Sequence, residues 1–102
     1  MVITDEMKQI VQGTAFLSLV TVNADGTPHP IVTGKAEAAG GTLIFGIFKM
    51  EKTQENLLKN NNAWVVCATI TDRKPKGIRF TGTAETKDKK LVFTAAKAEN
   101  LI

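Results

Sequence analysis

Apolar and polar residues alternate along several segments of strand length, and this pattern predicts a mainly β protein. Residues 15–22, 42–48 and 63–71 are rich in β-branched and aromatic side chains. Neither face of residues 15–22 is strongly polar, so we expect this strand to be buried on both sides or central in a barrel. Residues 29–38 and 78–85 complete the clear strand patterns, with Gly82 suggesting a bulge in the second.

Turn signals separate these strands. Asp25-Gly26 supplies the positive φ that a tight hairpin needs, and the pair Gly40-Gly41 marks another hairpin. Pro28 and Pro30 restrict the strand at 29–38 to a sheet edge or a strand entry. A polar loop is predicted at 71–77. Residues 87–90 form either a turn or a helix start, and residues 91–99 have a composition that suits helix and strand alike.

Two short helices are predicted from capping and spacing. Thr4 can cap a helix with an apolar stripe at Met7, Ile10 and Val11, which Gly13 would end. In the same way, Thr53 can cap a second helix that turns Leu57 and Leu58 inward. With about six strands joined mostly by tight turns, we expect one domain over residues 1–102, a small antiparallel barrel whose closure removes exposed edges.

The composition of the chain limits the classes of partner that we expect it to bind. The net charge of +3 is mild and its basic residues are dispersed, which argues against a nucleic-acid face. The single cysteine, Cys67, and the single histidine, His29, give no metal-ligand spacing. No segment is long and apolar enough to span a bilayer, and no signal peptide is visible, so we expect a cytoplasmic protein that does not bind membranes.

The junction before the second helix is a candidate anion site. A helix N-terminus offers free N–H groups, and here Lys49, Lys52 and the hydroxyl of Thr53 lie close to it in sequence. Phosphate is the obvious anion. The alternative is a solvated loop with ordinary surface lysines.

Five short segments, taken in order, resemble a known family. They are F-L-S-L-V-T-V from Phe16, D-G-T-P-H-P from Asp25, L-I-F from Leu43, Lys52-Thr53 followed by Asn56-Leu57, and G-I-R-F-T-G-T-A from Gly77. Together they resemble the FMN-binding split barrels related to pyridoxamine 5′-phosphate oxidase, most closely the small bacterial FMN-binding proteins. The resemblance covers the chain from about Ala15 onward.

The resemblance implies a six-stranded split β-barrel that forms a homodimer, with one FMN at each of two sites along the subunit interface. It also implies which residues contact FMN. Lys52 and Thr53 would hold the phosphate, Val32, Thr33 and Gly34 would run along the flavin ring, and Phe48, Lys49 and Met50 would lie near the ring.

The chain departs from the family pattern at two places. Gly34 stands where small members often carry an aromatic residue, and residues 87–90 replace a helix that many members have before the last strand. The alignment makes residues 91–99 that last strand. Both departures should leave the ring more exposed.

No nucleophile–base pair or paired-carboxylate site is recognisable, so we assign no catalytic residue. Any chemistry would come from the flavin, in electron or hydride transfer by a carrier or an FMN-dependent oxidoreductase. The alternative is a structural or interaction barrel that has lost flavin binding. We expect a homodimer, because a chain this short cannot cover so many strands with two apolar faces. Trp64 suits the core or the dimer interface, and Arg79 suits a pair across the sheet or that interface.

Overall fold

The computed structural model describes residues 2–102, which form two helices and seven strands. The helices are α1 (Asp5–Gly13) and α2 (Glu51–Lys59). The strands are β1 (Leu17–Val22), β2 (Pro28–Thr33), β3 (Glu37–Ala39), β4 (Thr42–Gly46), β5 (Asn62–Thr71), β6 (Lys74–Lys87) and β7 (Lys90–Asn100). The mainly β prediction is confirmed, but the count of six strands is wrong.

The described strands form one antiparallel sheet in the order β2-β1-β5-β6-β7-β4-β3. The predicted closed barrel is therefore wrong, because β2 and β3 remain at the two edges of an open sheet. The single strand expected at 29–38 is β2 and β3, joined by Gly34, Lys35 and Ala36. This link spans at most about 14 Å. The two edges must therefore approach each other at this corner, and the sheet is strongly curled.

The free edge of β2 is set by its two prolines. Asn23 N–H donates to the Thr27 carbonyl at the β1–β2 turn, so the next pair, Val22 and Pro28, is a non-hydrogen-bonded pair. Since the pattern alternates, Pro30 and Val32 also direct their backbone groups away from β1. The prediction that prolines confine this strand to an edge is confirmed.

The long strands β5, β6 and β7 form two tight hairpins. Residues Asp72 and Arg73 make the first turn and Asp88 and Lys89 the second, all four with positive φ. The loop expected at 71–77 is therefore wrong, because pairing between β5 and β6 continues to Thr71 and Lys74. Of the two alternatives at 87–90, a turn or a helix start, the structure has the turn, and the final strand at 91–99 is confirmed.

Gly82 marks the predicted bulge in β6. The register with β7 shifts between Thr81 and Gly82, and a Cβ at Gly82 would overlap the carbonyl of Thr94. Only glycine lets the two backbones approach this closely.

The core lies inside the curl of the sheet. Leu17, Leu19 and Thr21 of β1 point into it, while Ser18, Val20 and Val22 are half-buried on the outer face. The expectation that β1 is buried on both sides is thus wrong for a single chain. The largest side chains of the core that are fully buried are Phe45, Phe80, Phe93, Leu17, Leu19, Leu43, Ile78 and Leu91.

The helix α1 covers one end of the curled sheet. As predicted, Thr4 caps it by accepting the N–H of Met7 at 3.2 Å, and Ile10 and Val11 are buried. At its C-terminus, Lys35 from the β2–β3 link donates to the carbonyl of Gln12 at 3.3 Å. A cation at this position stabilises the helix dipole.

Candidate functional site

The helix α2 begins at Glu51, after a sharp change of chain direction. Lys49 has a φ of 51°, and Met50 occupies the N-cap position without a side-chain cap. Thr53 is the third residue of the helix, so its predicted role as the cap is wrong. The first N–H groups of the helix therefore precede Thr53 and are not capped by its hydroxyl.

Thr53 is buried, with 1% of its surface exposed. Its hydroxyl has no hydrogen-bond partner among residues 2–102. An unpaired buried hydroxyl costs about 1–3 kcal/mol. The hydroxyl therefore either lowers the stability of the protein or donates to a ligand that the chain itself does not contain.

Lys52 is exposed in the first turn of α2. It lies near Asp25 of the β1–β2 turn. The pKa of Asp25 is lowered, first by the Thr27 hydroxyl, which donates at 2.6 Å, then by the Thr27 N–H at 3.0 Å, and to a smaller extent by the charge of Lys52. Lys52 thus places a positive charge where α2 meets the turn.

Asn56 fastens α2 to the end of β1. Its buried side-chain amide donates to the Thr21 hydroxyl at 3.1 Å and to the Asn23 side-chain oxygen at 3.0 Å. Asn56 belongs to the segments that carry the family resemblance, but the sequence reasoning gave it no role. An asparagine one helical turn after Lys52, on the same face, is the signal that could have found it.

The predicted ring-binding residues lie on β2 and just after it. Val32 is 72% exposed on the outer side, whereas Thr33 is buried. The Thr33 hydroxyl donates to the carbonyls of Gly34 at 3.0 Å and Leu17 at 3.3 Å. Apart from its two neighbours in the chain, no residue in the range 2–102 comes within 4 Å of a Cβ built on Gly34. Val32 and Gly34 are therefore accessible, while Thr33 is occupied by structural contacts.

The three residues before α2 differ in the same way. Phe48 is 78% exposed, and the ammonium of Lys49 lies 5.7 Å from the centre of its ring. Met50 is buried in the core. Phe48 and Lys49 could contact a ligand, while Met50 supports the helix start from within.

Two groups of predicted site residues lie at opposite ends of β2, with Lys52 near its start and Val32, Thr33 and Gly34 at its end. Pro28 faces the end of β1, beside Asp25 and α2, and Thr33 faces the start of β1 at Leu17. Five residues of extended strand separate these positions by about 17 Å. A single ligand that contacts both ends must be elongated and must run beside β2.

Other chemically active residues do not form a site. Burial raises the pKa of the Cys67 thiol to about 11, so it is a neutral core side chain. Arg79 pairs with Glu99 across β6 and β7 at 3.3 Å, as expected for a pair across the sheet. Residues 2–102 contain no cluster of three or more His, Cys, Asp or Glu side chains that could hold a metal ion. None of the helices in this range is long and apolar enough to cross a membrane.

The family model for pyridoxamine 5′-phosphate oxidase matches residues 3–100. The chain belongs to this family. The resemblance noted from the sequence is thereby confirmed. A comparison of this chain with curated protein sequences finds no significant match.

Solved structures show the same fold at low identity. A HupZ protein from Group A Streptococcus is 22% identical, with a TM-score of 0.80 over 97% of this chain and 94% of the other. An FMN-binding protein from Syntrophomonas wolfei is 17% identical, with a TM-score of 0.73 over 93% and 83%. A heme binding protein from Mycobacterium smegmatis is 13% identical, with a TM-score of 0.72 over 92% and 51%. Proteins with this fold therefore include ones described by different cofactors.

Proposed function

We propose that this protein is an FMN-binding flavoprotein that takes part in electron or hydride transfer. The observation that carries the proposal is the start of α2, where Lys52 is exposed beside uncapped helix N–H groups. An ammonium and a helix N-terminus together favour a phosphate dianion. The exposed residues Val32 and Gly34 lie at the far end of β2 and just after it, as an elongated ligand requires.

The residues present fit this cofactor at both ends. Lys52 would pair with the phosphate, and the unpartnered hydroxyl of Thr53 is a buried donor in the same turn. Val32, Gly34, Phe48 and Lys49 would flank the ring. When bound, FMN supplies one- or two-electron transfer, and the chain contributes binding, orientation and exclusion of water.

Family membership and the fold also support a homodimer. The outer face of the sheet carries half-buried apolar residues around a broad cavity of about 590 Å³. Its lining is Val20, Trp64, Val66, Arg79, Thr81, Lys97 and Glu99. An apolar face with paired charges at its margin suits a self-complementary contact with a second copy. FMN would lie along the boundary between the two chains. The free, buried thiol of Cys67 agrees with a cytoplasmic setting.

The variant Lys52→Ala tests the phosphate site. Loss of a charge-assisted contact should weaken FMN by about 1.5–3 kcal/mol, or roughly tenfold to more than a hundredfold. Riboflavin lacks the phosphate and should bind wild type and variant almost equally. Flavin fluorescence titrations of the apo protein measure both ligands.

Lys59→Ala is the matched control, because Lys59 is another exposed lysine, at the other end of the same helix. It should leave FMN affinity within about twofold, since exposed charges contribute little. Equal FMN affinity in wild type and Lys52→Ala would place the phosphate elsewhere. Failure of wild type to bind either flavin would favour the structural or interaction barrel.

A further inference from the structure

A smaller cavity lies between the β1–β2 turn and the C-terminal half of α2. Its volume is about 250 Å³, and it shares no lining residue with the cavity on the outer face of the sheet. Sites for drug-sized ligands have roughly 300–1,000 Å³, so this cavity suits a smaller molecule. The turn and the helix contribute to the lining Asn23, Ala24, Gly26, Asn56, Lys59 and Asn60.

The side-chain oxygen of Asn56 is an unused acceptor in this cavity. Asn56 is 3% exposed, and its amide nitrogen donates to Thr21 and Asn23. No group of residues 2–102 donates to its oxygen. In the same range, the Thr53 hydroxyl is the only fully enclosed polar side-chain atom without a partner. The Asn56 oxygen therefore opens into the cavity and is free to accept a hydrogen bond.

The other side chains at this end of the cavity supply donors. The Asn60 oxygen accepts the Asn62 N–H at 3.1 Å, and its own amide N–H groups have no partner among residues 2–102. Lys59 is exposed and forms no ion pair within that range, although Glu55 lies one helical turn before it. A lysine in the last turn of α2 stabilises the helix dipole, but this role does not account for the free acceptor on Asn56.

We propose that this cavity binds a short carboxylate that carries a hydrogen-bond donor at its other end. Lys59 is the one charged residue that the described chain contributes to the lining, and it would hold the carboxylate together with the Asn60 amide. The donor of the ligand would pair with the Asn56 oxygen. Helix positions three or four apart are separated by about 5–6 Å, which favours a ligand of about four carbon atoms. Lys52 does not line this cavity, so the inference goes beyond the proposed FMN site and does not depend on it.

The probe is 4-hydroxybutyrate, which carries a hydroxyl and a carboxylate at its two ends. Butyrate lacks the hydroxyl and 1,4-butanediol lacks the carboxylate, so the three compounds separate the two contacts without a change to the protein. NMR titrations of ¹⁵N-labelled wild type measure each affinity. We expect 4-hydroxybutyrate to shift the amide resonances of Gly26 and Asn60. It should bind about three- to tenfold more tightly than butyrate, and at least about tenfold more tightly than the diol.

Lys59→Ala should weaken 4-hydroxybutyrate about tenfold, because it removes the charge-assisted contact. Lys8→Ala is the matched control, since Lys8 is an exposed lysine on α1 that does not line the cavity. It should leave the affinity within about twofold. Saturating FMN should not displace 4-hydroxybutyrate from wild type.

Equal affinities for 4-hydroxybutyrate and butyrate would overturn the role of the Asn56 oxygen. Unchanged affinity in Lys59→Ala would overturn the carboxylate contact. The absence of a saturable shift at Gly26 and Asn60 would overturn the whole proposal, and displacement by FMN would overturn the assignment of a separate site. A protein that binds 4-hydroxybutyrate but no flavin would contradict the proposed function and support this inference.

Discussion

Thr53 carries a buried hydroxyl in the first turn of α2, with no partner among residues 2–102. In the absence of a ligand, this group costs free energy, because its hydrogen bonds to water are lost and not replaced. Thr33 is buried to a similar extent, but its hydroxyl donates to two backbone carbonyls. Thr53 was predicted to hold the phosphate and Thr33 to run along the flavin ring, and their surroundings give the two hydroxyls different energetics.

Thr53→Val should raise the free energy of unfolding of the apo protein by about 1 kcal/mol, because valine fills the same volume without an unpaired hydroxyl. Thr33→Val is the control and should lower it by about 0.5–1.5 kcal/mol, because two carbonyls lose their donor. Urea denaturation of both variants measures the difference. A loss of stability in Thr53→Val would show that the hydroxyl is satisfied, and a gain that disappears with bound FMN would support its contact with the phosphate.

The presence of the second helix was easier to predict than the direction in which its side chains point. The sequence placed a helix after Lys49, but Thr53 is inside it and Leu58, expected to face inward, is 89% exposed. Adjacent residues on a helix are separated by 100°, and the buried face of α2 contains Asn56 and Leu57, so Leu58 lies outside it. Which of them is buried depends on where α2 meets β1. Asn56 sets that contact through Thr21 and Asn23, which precede it by 35 and 33 positions in the sequence.

The two hairpins of β5, β6 and β7 turn through non-glycine residues in left-handed conformation. Such two-residue turns match the twist of the strands, but they favour Asn-Gly. Here they are Asp72-Arg73 and Asp88-Lys89. Because neither pair contains glycine, the sequence did not predict the first as a tight turn. Its register follows from the pairing of the strands, which local composition does not encode.

Arg73→Gly should stabilise the protein by about 0.5–1 kcal/mol, because glycine removes a left-handed penalty of roughly 1–2 kcal/mol and adds some entropy to the unfolded chain. Arg73→Ala keeps the penalty and serves as the control for loss of the charged side chain. Thermal unfolding followed by circular dichroism measures both. A melting temperature that falls in Arg73→Gly but not in Arg73→Ala would contradict this account of the turn.

At the scale of the whole molecule, the sequence predicted an antiparallel β fold with the correct early hairpin, bulge and final strand. Closure could not be predicted, since it depends on the pairing of distant strands. Residues 29–38 read as one continuous strand, yet β2 and β3 lie at opposite edges. The outer face of the sheet is half-buried in a single chain. It corresponds to the second apolar face that the sequence pattern shows in these strands.

Sedimentation equilibrium at micromolar concentration should give the mass of two chains. Trp64→Glu places a charge in the outer-face cavity and should produce monomers, because burial of an unpaired carboxylate costs several kcal/mol. Leu58→Glu is the control, since Leu58 is exposed on α2, away from the residues that line this cavity. A wild-type mass of one chain would rule out the dimer, and dimers of Trp64→Glu would place the interface on another face.

The sheet order also constrains how the chain acquires its structure over time. The β3–β4 hairpin borders β7, and Leu43 faces Phe93, fifty positions later in the sequence. During translation this hairpin has no neighbouring strand on that side until β7 leaves the ribosome. Contacts between such distant positions slow folding, roughly to the millisecond-to-second range. The nascent chain therefore exposes β4 for the time that the ribosome needs to make α2, β5, β6 and β7.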